Sequence, residues 1–126
     1  MNKDIKIRLI KALRSGDFLQ ERYALKRREE DSGEDMYPVL GIICQMYKVS
    51  IGGYWKKQKT SNAYYFFDKS DSYSITGLPP RVREWAEISI DLQKKIKNWN
   101  DGNYFCQYSF VEIAEFLERE DSWPKQ

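Results

Sequence analysis

The sequence predicts a single α+β domain in which four or five helices pack around a small antiparallel sheet. Apolar residues recur at helical spacing near both ends of the chain, in residues 5–13 and 110–117. Between them, residues 54–75 are rich in Tyr, Trp and Phe and are interrupted by polar turns, which is typical of short strands. With 126 residues the chain has the length of one domain, so we expect residues 1–126 to fold as one unit.

The first helix is predicted from apolar residues that recur every four positions, namely Ile5, Leu9 and Leu13. Lysines and arginines occupy much of its remaining surface. Asn2 or Asp4 can cap its start, and Gly16 is a suitable left-handed stop. Residues 17–25 fit either a short helix or an extended segment.

Two polar segments are predicted to be poorly packed. Residues 26–36 carry almost no apolar side chains and place basic residues beside acidic ones, so we predict a mobile polar surface loop. Residues 121–126 are predicted to be a frayed tail unless Trp123 docks.

The most apolar segment, residues 37–47, fits a buried helix or a buried strand. Pro38 is acceptable in a first helical turn, and Gly41 would permit close approach of a neighbour, so a helix is favoured. Periodicity does not decide between the two in so short an apolar run.

The strand-like region resolves into three segments, at residues 54–57, 63–67 and 72–75. They fit an antiparallel sheet. One face of this sheet must pack on the helices, because two or three isolated strands are marginally stable in water.

Three further helices follow. Prolines open a short helix after Leu78, Ser89 can cap the next one, and residues 100–103 are predicted to end that helix in a turn. In the last helix, Ser109 and Glu112 form a capping box. Its apolar stripe is expected to lie against three residues of the preceding helix and the segment around Ile42; these three are Leu92, Ile96 and Trp99.

The formal net charge is +2, which by itself does not indicate nucleic-acid binding. Residues 1–30 hold nine Lys/Arg against five Asp/Glu, whereas residues 109–126 hold two against five, and we expect the two ends to lie near each other. Cys44 and Cys106 are the two cysteines, and no apolar run approaches a membrane span of ~20 residues. We therefore expect a reducing cytoplasm, with both thiols unpaired and at least partly buried.

Catalytic and metal-binding patterns are missing from the sequence. There is no histidine, no CxxC pair and no phosphate-binding glycine loop. Glu112, Glu115 and Glu118 share a helix but are expected to face water. We predict a non-catalytic protein without a cofactor or metal, and an enzyme is the third-ranked alternative.

Aromatic and basic residues alternate between residues 54 and 67, and we predict the binding site there. The candidate binding residues are Trp55, Lys56, Lys57, Lys59 and Tyr64. Because alternate side chains of a strand share a face, one face could present rings together with ammonium groups. Such a face suits bases or a nucleotide, and it suits a protein partner equally well. In the structural alternative, one face simply joins the core.

Several motifs together resemble a family of small uncharacterised proteins encoded by bacteriophages and prophages. They are Leu13-Arg14-Ser15-Gly16, Leu40-Gly41-Ile42-Ile43-Cys44, Leu78-Pro79-Pro80-Arg81-Val82-Arg83-Glu84-Trp85-Ala86, Asn100-Asp101-Gly102 and Ser109-Phe110-Val111-Glu112-Ile113-Ala114. The resemblance covers most of the chain. It implies a phage origin, and small phage proteins without an active site often act on host machinery, including antiviral defence.

From this we expect a phage-type accessory protein in the cytoplasm of a bacterial host. It would bind and neutralise a host component, a protein in the favoured hypothesis, and it would not contact a membrane. The alternative is a module that binds nucleic acid or a signalling nucleotide through an aromatic and basic sheet face. The sequence does not determine the oligomeric state.

Overall fold

The computed structural model describes residues 1–102 and 108–120, and it confirms a single α+β domain. The described residues form five helices: α1 Lys3–Ser15, α2 Val39–Ser50, α3 Pro80–Ala86, α4 Ile90–Asp101 and α5 Phe110–Glu120. They also form six short strands: β1 Leu19–Gln20, β2 Arg27–Arg28, β3 Asp35–Tyr37, β4 Tyr54–Lys57, β5 Tyr64–Phe67 and β6 Tyr73–Ser74. Cys106 lies outside the described residues.

The strands form two sheets of three, with the orders β1-β3-β2 and β4-β5-β6. Every pairing is antiparallel except that of β1 with β3, which is parallel. The two sheets meet where Arg27 bridges Ala63 and where the Tyr64 amide donates to the Lys26 carbonyl over 2.9 Å. Within the second sheet, β4 lies at an edge, whereas β5 has a neighbouring strand on each side.

The apolar segment that could be helix or strand is the helix α2, and it lies at the centre of the core. Ile42, Ile43 and Cys44 are fully buried. Gly41 allows the close approach predicted for it, because a Cβ atom there would lie 1.8 Å from the Leu25 carbonyl oxygen. The chain before β2 thus packs directly on the backbone of α2.

The two ends of the chain meet, as the charge distribution predicted. α5 packs chiefly against α1, and Arg14 forms an ion pair with Glu118. α5 also contacts α4, where the rings of Trp99 and Phe116 are 5.1 Å apart. The expected position of the α5 stripe is therefore only partly right: α4 is a neighbour, but the main partner is α1 and not the segment around Ile42.

The polar run at residues 26–36 is only partly a loop. It contains β2 and the first two residues of β3, and Lys26 at its start is buried. The side chains of this polar run did not predict the strands β2 and β3, because strand prediction relies on apolar side chains and these strands are formed by backbone hydrogen bonds. Residues 30–34 are exposed and form the connection between the strands. Its mobility stays a prediction.

The predicted turn at residues 100–103 begins later than expected. Asn100 and Asp101 are buried residues of α4, and Gly102 caps the helix with its amide donating to the Asn98 carbonyl. The side chain of Asn100 accepts hydrogen bonds from the Gln20 side chain and the Val39 amide, and these tertiary bonds stabilise the helical position of Asn100. Asn103 lies outside the described residues.

None of the helices in residues 1–102 and 108–120 has both the length and the apolar character needed to cross a lipid bilayer.

Candidate functional site

The β4-β5-β6 sheet has two chemically different faces. On the inner face, Phe66 is fully buried and contacts Tyr47 of α2 and Trp55 of β4. Because side chains alternate along a strand, the neighbours of Phe66 point the other way. They form what we call the outer aromatic face, which consists of Tyr54, Lys56, Tyr65, Phe67 and Tyr73.

The strand register brings these rings together. Tyr54 pairs with Phe67 across β4 and β5, and Phe67 pairs with Tyr73 across β5 and β6. The ring centroids of Tyr54 and Phe67 are 4.8 Å apart with an interplanar angle of 3°, and those of Phe67 and Tyr73 are 5.0 Å apart at 27°. Tyr65 meets Tyr73 edge-on at 5.4 Å. The result is a continuous row of rings across three strands.

This row remains accessible to solvent. Tyr54 is 45% exposed and Tyr73 is 60% exposed, while Tyr65 and Phe67 between them are half-buried. No described helix packs against this face, since α2 lies on the other side of the sheet with Phe66. Contiguous exposed rings on a folded domain are typical of an interaction surface.

The inner face holds an unusual buried cation at its margin. The Lys26 ammonium lies 4.6 Å from the ring centroid of Tyr64, 5.3 Å from that of Trp55 and 5.9 Å from that of Tyr37. Burial lowers the pKa of Lys26, and the Asp35 carboxylate at 3.6 Å partly offsets this effect. The rings and Asp35 thus replace the water that an exposed ammonium would have.

The structure separates the candidate binding residues predicted from the sequence. Trp55 is half-buried on the inner face, and its indole Nε1 donates to Gln45 Oε1 over 2.8 Å. Tyr64 is half-buried beneath Lys26. Lys57 shares their face by register but is exposed, Lys59 is exposed beyond β4, and Lys56 alone belongs to the outer aromatic face.

Of the outer aromatic face, only Lys56 is among the binding residues predicted from the sequence. Tyr64, Tyr65, Phe66 and Phe67 are all aromatic, so their composition does not distinguish the inward positions from the outward ones. The sequence of β4 indicates only that Tyr54 and Lys56 share one face of the strand and that Trp55 and Lys57 share the other. Only the contact of Phe66 with α2 identifies which set faces the core.

Cys44 and two glutamates of the C-terminal part have structural surroundings. Burial raises the pKa of the Cys44 thiol well above its usual value, which keeps it protonated and unreactive. Glu112 accepts the Ser109 amide, and Glu118 is paired with Arg14. No group of three His, Cys, Asp or Glu residues among the described residues could hold a metal ion.

One family model matches almost the whole chain, at residues 1–121, and its description is "Domain of unknown function (DUF8296)". No curated protein and no solved structure matches the chain. Because the match spans more than half of the sequence, the chain belongs to the family of this domain of unknown function, DUF8296.

Proposed function

We propose that the protein is a non-catalytic binding protein whose outer aromatic face docks a partner protein. The observation that carries this proposal is the row of stacked rings on a face that no described helix covers. Large aromatic side chains supply much of the energy at protein interfaces, because they bury a large area at a small cost in conformational entropy.

Ring geometry favours a protein over a nucleic acid as the partner. Stacking on a base requires a free ring face, but the central ring, Phe67, has Tyr54 stacked on one side and Tyr73 on the other, which leaves only the outer faces of Tyr54 and Tyr73 for a base. In the predicted nucleotide site, the rings of Trp55 and Tyr64 already contact the Lys26 ammonium, so these ring surfaces are less available to a base. Edges of stacked rings are well suited to apolar side chains of another protein.

The resemblance to bacteriophage and prophage proteins suggests where this partner comes from. We propose that it is a protein of the bacterial host, that binding neutralises it, and that components of antiviral defence are the class to test first.

The test is affinity capture from a bacterial lysate with a variant that removes the exposed rings. Tyr54→Ser combined with Tyr73→Ser should lose host proteins that the unchanged protein recovers. The matched control is Val49→Ser combined with Ile90→Ser, since these side chains are 76% and 54% exposed but lie in α2 and α4. The control should recover the same proteins.

Two results would overturn the proposal: recovery of no host protein, or recovery of the same proteins by both double variants. Binding of a single-stranded oligonucleotide or a nucleotide at low salt, abolished by Lys56→Glu and Lys57→Glu, would support the nucleic-acid alternative instead. Circular dichroism should show that every variant is folded.

A further inference from the structure

The edge of the sheet next to the outer aromatic face is open. β4 pairs with β5 and with no other strand in the part of the chain that the structure describes. An edge strand carries backbone N–H and C=O groups that are free to pair with another extended chain. The hydrogen bonds around β5 determine which of these groups of β4 point outward.

Alternation along the ladder places the free groups on Trp55 and Lys57. The Gln58 amide donates to the Ala63 carbonyl over 3.0 Å, so this opposed pair is hydrogen-bonded. Opposed pairs alternate in an antiparallel ladder, so Lys57 and Tyr64 form a pair without mutual backbone hydrogen bonds. In agreement, the Tyr64 amide points away from β4 and donates to the Lys26 carbonyl. The backbone groups of Lys57, and likewise those of Trp55, therefore point outward from the edge.

The same edge carries unbalanced positive charge. Lys56, Lys57 and Lys59 are all exposed, and none of them forms an ion pair with a described residue. The Lys57 ammonium donates to the neighbouring Gln58 carbonyl over 3.2 Å. An added segment with carboxylates would complement this charge, whereas a basic one would be repelled.

We infer that an extended, acidic segment of the partner protein adds to β4 as a further strand. Its backbone would pair with the outward groups of Trp55 and Lys57. The side chains of the added strand would alternate between the two faces of the sheet. Those on the side of the outer aromatic face would place an apolar residue beside Tyr54 and a carboxylate beside Lys56. This inference rests on the proposed function and adds the chemical class of the partner's docking segment.

A short fluorescein-labelled peptide in which pairs of Glu alternate with pairs of Val tests this inference directly, because each of its faces then carries both a carboxylate and an apolar side chain. The unchanged protein should bind it at low salt and should bind a Lys and Val peptide far more weakly. In proton–nitrogen correlation spectra, the peptide should shift the amides of Trp55 and Lys57 and protect them from hydrogen exchange. If no binding is detected, or if the shifted amides lie elsewhere, the inference is wrong.

Substitutions at one position separate backbone pairing from charge. Lys57→Pro removes both the outward amide hydrogen and the charge, and proline is tolerated on a strand edge where its nitrogen faces solvent. Lys57→Ala removes only the charge. Relative to Lys57→Ala, Lys57→Pro should weaken peptide binding about tenfold, as expected for one lost backbone hydrogen bond. Equal affinities of the two variants would contradict strand addition.

Lysines on an edge strand also prevent self-association, and this role predicts a different result. If these lysines serve only that purpose, Lys57→Ala would form dimers or larger species in light scattering, and the acidic peptide would not bind. That outcome would overturn the inference.

Lysate capture distinguishes this inference from the proposed function. Loss of the host protein with Tyr54→Ser and Tyr73→Ser, but not with Lys57→Pro, would keep the proposed face and reject strand addition. Equal capture by all of these variants would reject both.

Discussion

Asn100 shows how one buried polar side chain connects distant parts of this chain. Its Oδ1 accepts the Gln20 side-chain amide over 3.0 Å and the Val39 amide over 3.2 Å. Its Nδ2 donates to the Glu21 carbonyl over 2.8 Å and to Asp101 Oδ1 over 3.0 Å. The end of α4 is thereby joined to the start of α2 and to the segment after α1.

We expect Asn100→Ala to lower the free energy of unfolding by about 3 kcal/mol, because buried partners of the amide lose their hydrogen bonds. Asn98→Ala is the matched control, since Asn98 is exposed on the same helix, and it should change stability by less than about 0.5 kcal/mol. Urea denaturation measures both. Similar values for the two variants would show that the network contributes little.

Tyr37 gives the protein a predictable weakness at alkaline pH. Burial raises its pKa from 10.0 to about 12. As the pH rises above 10, the phenol ionises in the unfolded chain before it ionises in the folded one, so stability falls until about pH 12. The loss is at most about 3 kcal/mol. Lys26 has the opposite effect. Because its pKa is lowered in the folded protein, the free energy of unfolding rises with pH until the pH reaches the ordinary lysine pKa of 10.5.

Tyr37→Phe should abolish the tyrosine contribution to this alkaline loss. Urea denaturation of both proteins at neutral pH and again between pH 10 and about 12 isolates the effect, because Lys26 is present in each. Between neutral pH and about pH 12, the free energy of unfolding should fall less for Tyr37→Phe than for the unchanged protein. Parallel pH profiles would mean that the Tyr37 pKa is not raised by folding.

At the scale of elements, α2 depends on a glycine inside the helix. The backbone of Leu25 is so close that we expect Gly41→Ala to cost about 3 kcal/mol or more, since a carbonyl oxygen and not a flexible side chain must move. Gly77→Ala is a suitable control, because the nearest atom to the added carbon is Gln93 Nε2 at 3.5 Å. It should change stability by less than about 1 kcal/mol. Thermal unfolding followed by circular dichroism distinguishes the two.

The start of α5 is stabilised by the predicted capping box. The Glu112 amide donates to Ser109 Oγ over 3.2 Å, and the Ser109 amide donates to Glu112 Oε1 over 3.0 Å. Ser109→Ala should therefore cost about 1 kcal/mol and leave partner binding intact, because α5 is remote in the fold from the outer aromatic face. Ser50→Ala, at the exposed end of α2, should cost little. Loss of binding by folded Ser109→Ala would place α5 in the interaction surface.

At the scale of the whole molecule, the last helix completes the core begun by the first. α5 buries Ile113 and Leu117 almost completely, together with Phe110 at 8% exposure. Burial of three such side chains contributes roughly 5–8 kcal/mol, which is comparable to the stability of an entire domain. We therefore expect α1 and α5 to fold and unfold together.

Two truncations test this dependence. A chain ended after Gly102 lacks α5 and should show neither cooperative unfolding nor dispersed amide signals. A chain ended after Glu120 removes only residues 121–126, the predicted frayed tail, and should keep the unfolding midpoint of the full chain. A large drop in that midpoint would show that the tail packs on the domain.

The sequence by itself determined four of the five helices, the three strands of the β4-β5-β6 sheet and the capping box, because these depend on local periodicity and on short-range hydrogen bonds. It also identified residues 54–67 as the place to look for a site. Tertiary structure decided what periodicity leaves open: that α2 is a helix, that Arg27 and Arg28 join a strand, and that Asn100 lies inside α4. Tertiary structure alone decided which rings of β5 face the core. Four consecutive aromatic residues fit either face of the sheet equally well, and only the packing of α2 against one face determines which rings are buried.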